Sequence, residues 1–212
     1  MDEPATDGAG RRPLRVVHER GAVDLTAAEA AARAFLLALG VSLDSESLRA
    51  TPARMARAYG EMFSPRPFEL TTFPNDEGYD ELVLARSIPV QSVCEHHLLP
   101  FTGVAHVGYL PGGRILGLSK LARVVEMFAR RPQVQERLTQ QVAGWLQDQL
   151  APRGVGVVIE AEHLCMTLRG VRAVGASTVT SALQGVLRTD PGSRAEFFAL
   201  AGPRFRQETS AR

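Results

Sequence analysis

The stretch Cys94-Glu95-His96-His97 lies between two extended apolar runs and holds one of the chain's two cysteines and two of its five histidines. Its four residues carry a thiol, a carboxylate and two imidazoles. The second cysteine of the chain is Cys165, which follows His163 two residues later. One cysteine beside a packed histidine is common in protein cores. Two such clusters in a chain with no further cysteine indicate a single metal site built from two distant segments.

The ligand types favour zinc. Cys94 and His97 have the C-x-x-H spacing that lets two side chains reach one ion from a single turn, and Cys165 would be the third ligand. Zinc prefers thiolate and imidazole ligands, and three protein ligands leave a fourth position for water, as in catalytic sites. A fourth protein ligand, with His163 the candidate, would make the site structural instead. The residues alone leave this choice open.

The composition is that of an ordinary globular protein. Of its 212 residues, 45% are hydrophobic and 22% are charged, and the formal net charge is +1. This charge favours neither nucleic acid nor a membrane surface as a partner. We expect a cytoplasmic protein, because residues 1–21 lack the apolar core of a secretory signal, two cysteines form no disulfide framework, and no apolar run approaches the ~18 residues of a membrane span.

Local signals divide the chain into three predicted parts: a disordered tail over residues 1–22, a helical region over 23–66 and a main domain over 67–212. In the helical region, one helix is predicted from an N-cap at Thr26 to a stop at Gly40. A second is predicted to start with Thr51 as cap and Pro52 at the first helical position. Residues 63–79 are rich in proline and are predicted to form a loop.

The main domain is predicted to alternate strands and helices. Strands are expected over 81–93 and around 104–108, followed by a turn at 111–113. Two helices come next, and Pro132 opens the second of them. A long strand over 155–169, an extended stretch through Val179 and Ser181, and a short helix near 194–200 complete the domain. This order predicts an α+β fold with two helices on one face of an antiparallel sheet.

Strand periodicity places the second cluster. If residues 155–169 form one regular strand, then one face carries the side chains of His163, Cys165, Thr167 and Arg169. In the first cluster, His96 cannot easily point the same way as its neighbour His97. One imidazole would therefore bind metal while the other transfers protons, for which its pKa is suited. Packing beside the metal is the alternative role for His96.

Three further groups have a functional and a plain interpretation. The helix opening at Gly117 carries Ser119 and Lys120, the only lysine, and its free N–H groups make it a candidate anion site together with Arg123 on the same face. Basic residues at helix starts are nevertheless common. Glu136 points away from the core stripe of its helix, either into solvent or towards a base. Arg54 and Arg57 share one side of their helix, as many solvated arginines do.

Several long motifs resemble one family. In order they are C-E-H-H-L-L-P-F from residue 94, H-V-G-Y-L-P from 106, G-L-S-K-L-A-R from 117, R-P-Q-V-Q-E-R-L-T from 131 and H-L-C-M-T-L-R-G from 163. This series resembles the GTP cyclohydrolase I family over roughly residues 80 to 200, and more loosely over the T-P-A-R helix before them. The family has the tunnelling fold, in which sheets from several subunits close a barrel.

The resemblance implies an activity. Members of the family open the imidazole ring of GTP with the help of zinc, release formate and rearrange the ribose to give 7,8-dihydroneopterin triphosphate, the first step of pterin and folate biosynthesis. Residues 67–212 would then form the catalytic domain. Members are typically homodecamers with active sites at subunit interfaces, so GTP and further copies of this chain are the expected partners.

The resemblance also implies roles for residues at matching positions. Cys94, His97 and Cys165 would hold Zn²⁺, while His163 would protonate the base and His96 would serve ribose opening and later proton transfers. Ser119 is expected to take part in catalysis as well as in triphosphate binding. The other substrate-binding residues implied are Glu136 and Gln135 at the guanine edge and Lys120, Arg123, Arg169, Arg54 and Arg57 at the triphosphate, the last two from a neighbouring subunit.

Two alternatives remain at this point. A nitrile reductase of queuosine synthesis shares the tunnelling fold, but it uses a cysteine nucleophile and a nicotinamide cofactor, whereas the paired C-E-H-H and H-L-C motifs favour zinc. A non-catalytic, zinc-stabilised GTP-binding protein is the second alternative. The presence of both non-ligand histidines, His96 and His163, argues against it.

Overall fold

The structure is a computed structural model, and it describes the backbone of Arg15–Val16 together with residues 23–202. The tail predicted over residues 1–22 otherwise lies outside the described residues. Strand β1 (Arg15–Val16) pairs antiparallel with β2 (Phe68–Glu69).

The N-terminal region is helical, as predicted, but its helices begin at different residues. Helix α1 (Leu25–Ala38) has Asp24 as N-cap, whose carboxylate accepts a 2.9 Å hydrogen bond from the Ala27 N–H, so the prediction of Thr26 as cap is wrong. Gly40, with a φ of 78°, lies just past its end, where a left-handed residue satisfies the last carbonyls. A short helix α2 (Glu46–Arg49) was not predicted.

Helix α3 spans Thr51–Met62. Its N-cap is Ala50, and Thr51 is already helical, because the short helix α2 leads directly into it. The predicted loop over 63–79 is partly wrong: it contains β2 and β3 (Thr72–Pro74), and β3 pairs antiparallel with β6 (Arg114–Leu116) beyond the predicted turn.

The core of the molecule is a five-stranded sheet in the order β7-β4-β5-β8-β9. Its long strands are β4 (Val83–Cys94), β5 (Pro100–Leu110), β8 (Gly154–His163) and β9 (Thr178–Gly185), all paired antiparallel. The edge strand β7 (Pro132–Gln133) runs parallel to β4. Pro132 therefore starts a strand pair, and the prediction that it opens a helix is wrong.

Two helices cover one face of this sheet. They are α4 (Leu118–Ala129) and α5 (Gln135–Leu150), and their buried faces meet alternate residues of the central strands. On β5 these are Ala105, Val107 and Tyr109, each no more than 1% exposed, as expected from the period-2 alternation of a strand. The predicted α+β class, with two helices on one face of the sheet, is confirmed.

A smaller apolar cluster lies on the opposite face at one end. Helices α7 (Val186–Thr189) and α8 (Pro191–Ala201) bring Leu187 and Phe197 against it, and α8 is longer than the helix predicted near 194–200. The Phe197 ring fills the space above Gly156, where a Cβ atom would come within 2.7 Å of the ring. Within the described part of the chain, every helix is too short or too polar to span a lipid bilayer.

Candidate functional site

The first cluster lies on a tight turn between β4 and β5. Cys94 is the last residue of β4, and its carbonyl accepts a 2.8 Å hydrogen bond from the N–H of Leu98. Leu98 has a left-handed backbone with a φ of 52°, and the Leu99 carbonyl bonds back to the N–H of Cys94 at 2.9 Å. The turn therefore holds the side chains of His96 and His97 at the end of the sheet.

Cys94, His97 and Cys165 come together as predicted. Their candidate ligand atoms all lie within 4.8 Å of one another, and the Cys94 Sγ is 3.9 Å from the His97 Nδ1. Zinc bonds of about 2.3 Å to sulfur and 2.0 Å to nitrogen place two ligand atoms about 3.5 Å apart in tetrahedral geometry. Two thiols and one imidazole at these separations fit a zinc ion with small adjustments. His163 is not part of this group.

Cys165 reaches the group in a different way from the one predicted. Strand β8 ends at His163, and a helical turn, α6 (Leu164–Thr167), carries Cys165 back towards Cys94. The prediction of one strand over 155–169 with His163, Cys165, Thr167 and Arg169 on one face is therefore wrong. Burial, with a hydrogen bond to the Cys94 thiol, raises the pKa of Cys165, while the positive charge of Arg169 opposes the shift. Arg169 thus lies within electrostatic reach of the group.

Both imidazoles of the first cluster approach the Cys94 sulfur. The Nδ1 of His96 is 3.8 Å from Cys94 Sγ, and the rings of His96 and His97 are nearly perpendicular, with centroids 6.2 Å apart. Only His97, however, is close enough to Cys165 to complete the three-residue group.

His163 is held on two sides. Its ring stacks on Phe101, with centroids 4.5 Å apart and planes 10° from parallel, because the two residues are directly paired across β5 and β8. Its Nε2 lies 2.7 Å from the Oε1 of Gln135. Burial lowers the pKa of His163, and the carboxylate of Glu136 opposes this. Glu136, which is exposed, therefore lies within electrostatic reach of His163.

Gln135 differs from its neighbour Glu136, because it is only 1% exposed. Its Nε2 donates to the Ile159 carbonyl at 3.0 Å, to the Thr178 carbonyl at 2.9 Å and to the Thr180 hydroxyl at 3.1 Å. The side chain thus lies behind His163 and ties α5 to both β8 and β9.

An ion pair missed by the sequence analysis connects the first cluster to α5. The guanidinium of Arg137 donates to the Glu95 carboxylate and lowers its pKa, and it also donates to the side-chain oxygen of Gln133 at 3.0 Å. The Glu95 N–H in turn donates to the Gln133 carbonyl at 3.0 Å. No local spacing links Glu95 and Arg137, which are 42 positions apart, so only the fold reveals this pair.

The candidate anion site lies elsewhere. Helix α4 begins beside the N-terminal end of β4, because the Leu116 N–H just before it donates to the hydroxyl of Tyr109, which is paired with Val83. The helix ends beside the C-terminal end of β4, where the Ser92 hydroxyl donates to the Ala129 carbonyl at 2.6 Å. Ser119 is ten residues before Ala129, which corresponds to about 15 Å of helix. In a single chain, Ser119 and Lys120 are therefore remote from Cys94, and Arg123 pairs with Glu126 along the same helix.

The two arginines of α3 are exposed. Arg54 donates to the Ser47 carbonyl at 2.6 Å and to the Thr51 hydroxyl at 2.9 Å. Helix α3 contacts the turn between β4 and β5 through Tyr59, whose hydroxyl donates to the Leu98 carbonyl at 3.1 Å. Of the predicted site residues, the structure thus brings seven together: Cys94, His96, His97, Gln135, Glu136, His163 and Cys165, with Arg169 nearby.

Comparison with known proteins identifies the family. The sequence profile described as GTP cyclohydrolase I matches residues 28–202. Among curated proteins, GTP cyclohydrolase 1 of Mycolicibacterium vanbaalenii is 58% identical over 182 residues, which cover 84% of this chain and 90% of that protein. GTP cyclohydrolase 1 of Streptomyces griseus is 53% identical over 206 residues, covering 94% and 98%.

The likeness to solved structures is weaker. The archaeosine synthase QueF-Like in the apo form aligns with 49% of this chain and 93% of its own, at a TM-score of 0.41 and 19% identity. The profile match and the curated relatives carry the assignment, and both span most of the chain. The chain belongs to the GTP cyclohydrolase I family of enzymes.

Proposed function

We propose that the protein catalyses the zinc-dependent hydrolytic opening of the imidazole ring of GTP, releases formate and rearranges the product to 7,8-dihydroneopterin triphosphate, the first step of pterin and folate biosynthesis. The observation that carries this proposal is the convergence of a Cys94–His97–Cys165 group with His163 and Glu136 at one end of the sheet. Zinc bound by these three residues would act as a Lewis acid and lower the pKa of a water molecule to about 7.

The chain's own residues would supply the rest of the chemistry. His163, held by Phe101 and Gln135, would deliver a proton to the base as its ring opens. Glu136 would accept hydrogen bonds from the guanine edge, since it is exposed on the first turn of α5 and close to His163. His96 would serve proton transfer during ribose opening, because it lies beside the metal group without belonging to it.

The triphosphate would be bound across a subunit boundary. Ser119 and Lys120 lie in the first turn of α4, about 15 Å of helix from the end that contacts β4 beside Cys94, and Arg123 extends from the same helix. A second copy would therefore bring its α4 to this site, with Arg169 added from the metal-binding chain and Arg54 and Arg57 from α3 of a neighbour. This requirement supports a homo-oligomer with shared sites, for which the family precedent is a decamer that closes the sheets into a barrel.

The division of the chain follows from these roles. Residues 67–212 would form the catalytic domain and residues 23–66 a helical region that extends towards neighbouring subunits, preceded by a tail over residues 1–22. We propose a cytoplasmic enzyme.

One experiment tests the reaction and its metal together. Purified protein would be incubated with GTP, and formate would be measured alongside pterin fluorescence after oxidation, with and without a zinc chelator. Formate and pterin that are both lost on chelation support the proposal. Zinc-loaded protein that binds GTP without turnover would favour the non-catalytic binding protein, and activity that depends on a nicotinamide cofactor would favour the nitrile reductase.

A further inference from the structure

The orientation of the Gln135 side chain is determined by its surroundings. One end of its amide faces two backbone carbonyls, those of Ile159 at 3.0 Å and Thr178 at 2.9 Å. Carbonyl oxygens only accept hydrogen bonds, so this end must be the NH₂ group. The opposite orientation would place three oxygen atoms against one another at a site that is 1% exposed.

This orientation determines the proton on His163. The Oε1 of Gln135 can only accept, and it lies 2.7 Å from the Nε2 of His163. His163 must therefore carry a hydrogen on Nε2, and in the neutral ring Nδ1 then holds the lone pair. The Phe101 ring, stacked at 4.5 Å, prevents the imidazole from tilting away from this bond. Assigning the tautomer from such a network is the usual route where hydrogens are not seen directly.

We propose that Gln135 is a positioning residue, which fixes His163 as the Nε2–H tautomer and so makes Nδ1 the atom that exchanges protons with the substrate. The catalytic part of this inference rests on the proposed function, but the tautomer does not. It replaces the role that the resemblance implies for Gln135, a contact with the guanine edge, because the side chain is 1% exposed and both ends of its amide are hydrogen-bonded within the protein.

Two threonines support the same arrangement. Thr180 of β9 accepts from the Gln135 amide at 3.1 Å and lies 2.6 Å from the Thr139 hydroxyl, which itself donates to the Gln135 carbonyl at 2.8 Å. The backbone and side chain of Gln135 are thus both bonded, so its Oε1 is held in a fixed place. Such supporting hydrogen bonds determine which nitrogen of a histidine reacts.

Kinetics separate positioning from substrate binding. Gln135→Met keeps the length of the side chain but removes the acceptor and the donors. We expect kcat to fall roughly 10–100-fold. The zinc content and the KM for GTP should both stay within about threefold of the parent values. Gln140→Met, an exposed position on the same helix, is the matched control and should leave both constants unchanged. A rise in KM with kcat retained would overturn the proposal, since that result means that Gln135 contacts the substrate.

Spectroscopy tests the tautomer in the unmodified protein, so a variant that fails to fold does not prevent a decision. The ring C=C stretch of a neutral imidazole differs between its two tautomers. We would record the infrared spectrum of the zinc-loaded protein with isotope-labelled histidine at alkaline pH and assign the His163 band by its loss in His163→Asn. The Nε2–H band supports the proposal and the Nδ1–H band overturns it. Protein without GTP turnover would refute the proposed function and leave this result valid.

Discussion

Lys120 and Cys94 lie at opposite ends of the layer formed by β4 and α4. Ser92, two residues before Cys94, is bonded to the last turn of α4, whereas Lys120 lies in its first turn. Helix and strand run in the same direction along the face of the sheet. We therefore expect that Lys120 and Cys94 come from different chains if both serve one GTP molecule.

Subunit mixing tests this separation. Lys120→Ala and Cys165→Ala should each be inactive as homo-oligomers, but co-expressed chains should regain up to about a quarter of the parent activity, since random assembly pairs two intact halves in that fraction of shared sites. The measurement is formate release by the purified mixed oligomer. A mixture of Lys120→Ala with Ser119→Ala is the control and should stay inactive, because both changes affect the same half. Equal inactivity of the two mixtures would contradict shared sites.

Removal of one metal ligand should abolish binding and turnover together. Cys165→Ala leaves one thiol and one imidazole, too few protein ligands for a stable zinc site. We expect the metal content of the purified protein, measured by mass spectrometry, to fall from about one zinc per chain to near zero, with formate release lost. The neighbouring Met166→Leu should retain both. A fully active, zinc-loaded Cys165→Ala protein would disprove the ligand assignment.

Loss of His163 should separate binding from chemistry. His163→Ala removes the proposed proton donor but none of the three candidate metal ligands. We expect zinc content and GTP binding, followed by calorimetry, to remain near parent levels while formate release falls roughly 10²–10⁴-fold, as is typical when a general acid is removed. If zinc were lost as well, His163 would be a ligand and the site would have four protein donors.

The metal group was predictable from the sequence, but the arrangement around it was only partly so. C-x-x-H spacing places Cys94 and His97 within reach of one another on a turn, and the strand predicted around 104–108 is confirmed as part of β5. The helical turn at Cys165 was missed because alternating apolar residues there mimic a strand. Leu164 and Met166 are equally good helix formers, and tertiary contacts determined the outcome.

Gln135 shows a second limit. A glutamine in the first turn of a helix, followed by Glu136, is typical of a solvated face, and only the carbonyls of β8 and β9 bury it. The distance between Lys120 and Cys94 was also hidden, because it depends on the direction in which α4 crosses the sheet. Both features arise from contacts between residues far apart in the chain, which local patterns do not record.

The buried His106 should make the protein less stable in acid. It is 3% exposed on the face of β5 opposite α4 and α5, and burial, with the charge of Arg86, lowers its pKa, while Glu160 opposes the shift. As the pH decreases below the unfolded-state pKa of about 6.5, His106 takes up a proton in the unfolded chain before it does so in the folded chain. The free energy of unfolding therefore decreases by up to about 1.4 kcal/mol for each unit by which the pH is lowered.

His106→Gln tests this effect, because glutamine does not titrate. The difference in melting temperature between parent and variant should be constant above about pH 7 and should move in favour of the variant as the pH falls through 6 and below. Other titrating groups, His163 among them, affect both proteins and cancel in the difference. A difference independent of pH would mean that His106 does not change its protonation preference on folding.

Two glycines provide a matched pair for the packing of the sheet. At Gly103 of β5, a Cβ atom would overlap the Glu160 carbonyl and lie 2.6 Å from the Cα of Ala161 on β8, both backbone atoms that cannot yield. Gly103→Ala should therefore lower the free energy of unfolding by about 3 kcal/mol or more, since β5 and β8 would have to separate.

Gly144 of α5 has open space around its Cβ position. Gly144→Ala should stabilise the protein by about 0.5–1 kcal/mol because alanine favours the helix. Thermal unfolding of both variants checks the pair, and a Gly103→Ala protein as stable as its parent would contradict the pairing of Gly103 with Ala161.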